Sequence, residues 1–196
     1  MTVTIVMPTL DFESAAKMLT QAEKTAGMPC ATVLVKDYDR RGSTICGNAA
    51  LKGGIELRTP FVAYINDDTL ITQENWLKRM IEALGTNPTY GVAVPGGGCR
   101  TSPQNTGEPG MPRGIEEIEE AAFICAVFRR DVLTSIGIFD YNFTHYGNDS
   151  DLFRRMRRAG WRGIWVKDVF VEHTTRQIAK RWQAKDKKVF KEKWSN

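Results

Sequence analysis

The chain has 196 residues, 42% hydrophobic and 26% charged, with a net charge of +4. That length and balance suit one globular domain with a real core and exclude an intrinsically disordered chain. No run approaches the roughly 18 consecutive apolar residues of a membrane span. Cys30, Cys46, Cys99 and Cys125 include no Cys-x-x-Cys pair, which argues against structural zinc and for small buried thiols.

The N-terminus has no basic n-region and too short an apolar run for a signal peptide, so residues 3–7 read as a first strand closed by Pro8-Thr9. A cytoplasmic location is the default expectation. Phe12, Ala15, Ala16, Met18, Leu19 and Ala22 recur near helical spacing and predict a helix over 11–25, ended by Gly27 and Pro29. A second strand, 31–35, runs into the polar turn Lys36-Asp37-Tyr38-Asp39-Arg40-Arg41-Gly42. A short helix is expected over 44–51, broken at Gly53-Gly54.

Phe61-Val62-Ala63-Tyr64-Ile65 is an apolar run suited to a strand buried on both faces of a parallel sheet, and it stops abruptly at Asn66-Asp67-Asp68-Thr69. A helix over 73–84 follows, with Thr72 as its expected N-cap and Glu74 in its first turn. A short strand covers 92–94. Strands alternating with helices predict an α/β fold with a mostly parallel central sheet flanked by helices.

From 96 to 114 glycine and proline dominate and periodicity is lost, which reads either as a hinged loop over a substrate or as plain disorder. Its glycines fit neither the P-loop nor the dinucleotide fingerprint. Beyond it, the pattern predicts a strand over 121–128, a helix around 131–135, a helix over 152–159 ended by Gly160, and extended pieces at 163–166 and 169–172. From 176 the chain reads as helical, with Ile178, Trp182 and Val189 on one side. Residues 176–193 hold eight basic and two acidic residues, so this tail carries +6 and the rest of the chain −2. Such a helix either packs its apolar side on the body or lies on an anionic membrane surface, and packing is the expectation.

Three polar points end apolar elements: Asp67-Asp68, the stretch Gly147-Asn148-Asp149-Ser150-Asp151, and His173. Carboxylates are costly in a core without partners, and open α/β sheets bind ligands outside the carboxyl ends of their strands. Paired hard oxygen donors there suit a divalent cation carrying phosphates. Each point also has a plain reading, as a turn and helix cap, as N-terminal helix acids, and as a strand-end histidine.

In their order these segments resemble the family-2 glycosyltransferases, whose fold is GT-A, a single Rossmann-like domain. The similarity runs through Val3-Thr4-Ile5-Val6-Met7-Pro8-Thr9, the approach Thr59-Pro60 to Asp67-Asp68, Ala126 to Leu133, Ile136-Gly137-Ile138-Phe139-Asp140, and Gly147 to Leu152 with Arg155 and Ala159-Gly160-Trp161. It implies sugar transfer with inversion from a nucleotide-diphosphate-sugar donor to an acceptor hydroxyl, with Mn²⁺ or Mg²⁺ bridging the diphosphate. By the same resemblance, Pro8 and Thr9 open the nucleotide pocket, and Asp37, or failing that Asp39, recognises the base. Asp68 and His173 hold the cation, Asp67 supports it or reaches the ribose, Asn66 stands beside them in the donor site, and Asp149 is the general base. Residues 1–95 would form the nucleotide-sugar-binding half and 96–175 the acceptor-binding and catalytic half of one domain, with 176–196 a basic C-terminal helix. The acceptor would be a glycan, lipid-linked or protein hydroxyl, and nucleic acid is not the expected partner.

The chain departs from the family pattern at Asn66, where an acid is common, at Asn148, which replaces a Glu, at the loosely matching turn 36–39, and at Lys52 in place of Asn. Asn66 and Asn148 keep open an alternative: a non-catalytic GT-A-like module that binds a nucleotide or glycan and docks through its basic tail to membrane or nucleic acid.

Overall fold

The computed structural model describes residues 2–97, 114–174 and 180–195. β1 (Val3–Thr9) is buried throughout and lies between β2 (Cys30–Lys36) and β3 (Phe61–Ile65), parallel to both. Among the described residues the sheet has eight strands in the order β2-β1-β3-β7-β5-β8-β4, where β4 is Thr69–Leu70, β5 Tyr90–Gly97, β7 Cys125–Arg129 and β8 Arg162–His173; β6 (Ile115–Ile118) pairs with β8. β1, β2, β3, β5 and β8 run one way, and β4, β6 and β7 run against them. The result is one α/β domain with a mixed sheet whose strands mostly point one way.

Apolar alternation along β1 builds two cores. Val3, Ile5 and Met7 face α1 (Phe12–Thr25) and α3 (Trp76–Gly85), while Val6 faces α2 (Ser43–Glu56), α4 (Arg130–Ile136) and α5 (Asn148–Arg158). Asp11 caps α1 by accepting from the Ser14 amide, and Trp76 Nε1 locks α3 to α1 by donating to the Ala22 carbonyl at 2.9 Å.

Several boundaries differ from the sequence reading for local physical reasons. α2 does not break at Gly53-Gly54. A Cβ on Gly54 would lie 2.7 Å from Val6 Cγ1 and 2.9 Å from Val62 Cγ1, so the glycine lets the helix lie flush on β1 and β3. Gly54→Ala is expected to cost about 1–3 kcal/mol through overpacking, lowering the melting temperature by roughly 2–10 °C. Thermal unfolding followed by circular dichroism checks this, and an unchanged midpoint would contradict the close approach.

α3 starts at Trp76 behind Asn75 (φ 61°), not behind Thr72. Gln73 cannot open the helix because its amide clamps β8, donating to the Asp168 carbonyl at 2.7 Å and accepting from the Phe170 amide at 2.8 Å. β7 begins only at Cys125, after a buried irregular stretch whose Ile124 carbonyl accepts from the Asn66 amide at 2.9 Å. Gly96 and Gly97, expected in the long loop, extend β5 and pair with Phe170 and Val171. The rest of the proposed loop, 98–113, lies outside the described residues. The two expected extended pieces form one strand, β8, with a register shift in its pairing to β5 between Pro95 and Gly96.

A 3-10 turn at Lys180–Trp182 leads into α6 (Gln183–Trp194). Its apolar side packs on α5: Arg154 lies over the Phe190 ring at 4.7 Å and Arg158 over Trp194 at 4.4 Å. Of the expected apolar side, Trp182 and Val189 are half-buried, and Ile178 lies outside the described residues. Cys46 and Cys125 are buried free thiols and Cys30 is half-buried. Among the described residues no helix is long and apolar enough to cross a membrane.

Candidate active site

The carboxyl ends of β1, β2, β3 and β8 open onto one cavity of about 550 Å³. Its walls include Pro8, Thr9, Asp37, Asn66, Asp67, Asp68, Asp149 and His173. Residues separated by up to 165 positions in the chain therefore meet where an open α/β sheet receives ligands. Asp39 is not among the cavity walls; it is exposed and pairs with Arg41 at 3.5 Å.

Asp67 joins two strand ends, its Oδ2 accepting from the Thr9 hydroxyl at 2.6 Å and the Leu10 amide at 3.2 Å. Asp37 shapes the turn before α2, accepting from the Arg41 amide at 3.1 Å and the Gly42 amide at 3.0 Å. These bonds hold both its oxygens on its own loop, at the edge of the cavity it lines.

Asp68 and His173 meet because β4 pairs antiparallel with the end of β8: Thr69 sits opposite His173, and the Thr174 amide donates to the Asp68 carbonyl at 2.9 Å. His173 Nε2 lies 3.2 Å from Asp68 Oδ1, with the two side chains 10% and 15% exposed. Asp68 Oδ1 is buried and, among the described residues, no hydrogen bond to it is found. Two neighbouring ligands of an octahedral ion with bonds of about 2.2 Å stand about 3.1 Å apart, so this separation fits a carboxylate oxygen and an imidazole nitrogen on one cation. A mixed carboxylate–imidazole pair suits Mn²⁺ better than Mg²⁺. Among the described residues no third His, Cys, Asp or Glu joins them.

Asp149 lies in the first turn of α5, behind Gly147 (φ 77°). It is partly buried, and burial raises its carboxyl above the ordinary carboxylate range, offset in part by backbone amides, among them that of Ser150, which donates to Oδ1 at 2.8 Å. A raised carboxyl is a stronger base, which is the direction general-base chemistry needs. Asn148 is buried, donating from Nδ2 to the Thr44 hydroxyl at 3.1 Å and accepting the Asp149 amide on Oδ1 at 2.9 Å. An ionised Glu there would face a hydroxyl instead of a cation, so the neutral amide suits this pocket.

Sequence reasoning missed other walls. Tyr64, His145, Arg181 and Trp182 line the cavity too. Burial pushes the Tyr64 phenol well above its ordinary value, and burial lowers His145 against the upward pull of Asp186 and Asp68. The His145 and Trp182 rings lie 5.9 Å apart at 30°. Tyr64 reads as one more apolar strand residue, and the last two residues sit in what reads as a basic tail, so periodicity gives no sign of them.

This single sheet, with a cavity at the carboxyl ends of its strands, is a GT-A-like, Rossmann-like domain. It resembles GalNAc-T7, solved with UDP, GalNAc and Mn2+, at a TM-score of 0.66 and 10% identity, over 89% of this chain. The chain spans 44% of that protein's length. It also resembles A197 from STIV, at a TM-score of 0.61 and 14% identity, over 90% of this chain and 87% of the other. At these identities the likeness is one of fold. No protein-family model matches the chain, and no curated protein matches it by sequence.

Proposed function

We propose that the protein is a cation-dependent inverting glycosyltransferase of the family-2 type, moving a sugar from a nucleotide-diphosphate-sugar to an acceptor hydroxyl. The observation that supports this reading is that Asp68, His173 and Asp149 line one cavity, with His173 Nε2 3.2 Å from Asp68 Oδ1. GalNAc-T7, of similar fold, was solved with a nucleoside diphosphate, a sugar and Mn2+.

Pro8, Thr9 and Asp37 would bound the nucleotide, with Asn66 and Asp67 beside its phosphates. Asp68 and His173 would hold the divalent cation, which when bound neutralises charge gathering on the departing diphosphate. Asp149 accepts the acceptor's proton as its oxygen bonds to the anomeric carbon. The bond from that carbon to the phosphate oxygen breaks, and the nucleoside diphosphate leaves with the electron pair. One displacement at one carbon inverts its configuration, and one base suffices, unlike the paired carboxyls of glycoside hydrolysis. Because the aromatic side of α6 is spent on α5, any contact of the tail with a membrane would be electrostatic, through exposed lysines such as Lys187, Lys188 and Lys191.

A panel of nucleotide-sugars with Mn²⁺, scored by thermal shift and by nucleotide release, tests the proposal. One base series should stabilise the fold and release nucleotide. A flat response to every donor would reject it. Asn66 and Asn148, where the resembled family carries acids, favour a second reading, a module that binds the nucleotide without turnover. Stabilisation with no nucleotide release from any donor and acceptor would select that one.

A further inference from the structure

Asp186 is one of two acids in a segment of eight basic residues, yet it is 1% exposed. Its carboxylate reaches away from the basic helix and accepts three consecutive backbone amides at 2.9 Å each, those of Thr144, His145 and Tyr146. Lys185 adds a bond to the Thr144 hydroxyl at 2.9 Å. The far end of α6 is anchored separately, by Lys193 on Asp140 at 2.6 Å and Asp151 at 2.7 Å, and by Trp194 Nε1 on Asp151 at 3.0 Å. Three amide bonds to one carboxylate tie α6 tightly to this segment. The segment they fix carries His145 and Tyr146 on the cavity wall and leads through Gly147 and Asn148 into Asp149.

We propose that Asp186 is a positioning residue: through the amides of 144–146 it sets the placement of the His145 wall and of Asp149, making the C-terminal helix part of the active site. The consequence for Asp149 rests on the transferase reading above; the consequence for His145 does not. Removing one negative charge from Asp186 leaves an amide that cannot accept all three bonds equally, so the segment relaxes while both helix anchors at Lys193 and Trp194 remain.

The experiment compares Asp186→Asn with Lys193→Gln, which loosens α6 at its other end. The chain has two histidines, so the ring signals of His145 are readily assigned by NMR. In Asp186→Asn, with circular dichroism unchanged, the His145 ring signals should shift and lose their tie to Trp182. Transfer should fall at least tenfold in kcat while donor KM stays within threefold. Lys193→Gln should lower the melting temperature and leave the His145 signals and kcat unmoved. Unshifted His145 signals in folded Asp186→Asn, or equal effects of the two variants, would overturn the proposal. If Asp186→Asn does not fold, hydrogen exchange on the native chain decides. The amides of Thr144, His145 and Tyr146 should then be protected as strongly as those inside α6, and free-loop exchange rates would overturn the proposal. If no donor is turned over, the transferase reading fails and the His145 arm still decides the positioning of the wall.

Discussion

Asp149→Asn should abolish most transfer, about 10²–10⁴-fold in kcat, while leaving the fold intact. The amide is nearly the same shape and keeps its acceptor toward Ser150, but it cannot take a proton. The acid limb of the wild-type rate profile should lie above the ordinary carboxylate range, because burial raises this carboxyl and the ionised form is the active one. Rate therefore falls as pH drops through the raised value, and the residual rate of Asp149→Asn should lack that limb. Stability should move the other way. Between the unfolded value of 3.8 and the raised folded value, the folded chain binds the extra proton, so this carboxyl's contribution to stability is present below 3.8 and lost as pH rises through the folded value. At neutral pH Asp149→Asn should melt no lower than wild type, and that advantage should vanish at the acid end. A variant turning over within tenfold of wild type would remove Asp149 as the base.

Loss of the cation pair should be the second large effect. With Mn²⁺ and a bound nucleoside diphosphate at about a hundred times its dissociation constant, ligation adds about 2.7 kcal/mol, or roughly 5–10 °C for a chain of this size. Asp68→Asn and His173→Ala should each lose the Mn²⁺-dependent share of that shift and turn over at least a hundredfold more slowly. Metal-free nucleotide binding should change little, since Thr9, Asp37 and Asp67 keep their own hydrogen bonds. Equal shifts with and without Mn²⁺ in the wild type would remove the cation from the site.

How much of this was legible in the sequence depended on whether a residue's partners were near in pattern. β1 and β3 were readable because continuous apolar runs ending in polar residues have few other solutions, and those ends carry Thr9, Asp67 and Asp68. The other expected site residues came from the family resemblance, and of the whole set all but Asp39 line one cavity. α2 was cut short because Gly53-Gly54 looks like a breaker, whereas the glycine is there for closeness to Val6 and Val62. β6 escaped notice because Ile115-Glu116-Glu117-Ile118 buries one side chain and holds its edge with exposed pairs, Glu116 with Lys167 at 2.7 Å and Glu117 with Arg162 at 3.0 Å. Asp186 gave no signal at all, since its partners are backbone amides about forty positions away. Composition sees charge, and it cannot see which charge is turned inward.

Locating Mn²⁺ by its anomalous scattering, in crystals grown with the nucleoside diphosphate that best stabilises the protein, tests the central claim most directly. One ion should sit between Asp68 Oδ1 and His173 Nε2 at bonding distance, touching the diphosphate, with Asp149 across the cavity. An ion bound elsewhere, or a nucleotide seated in this cavity without one, would contradict it.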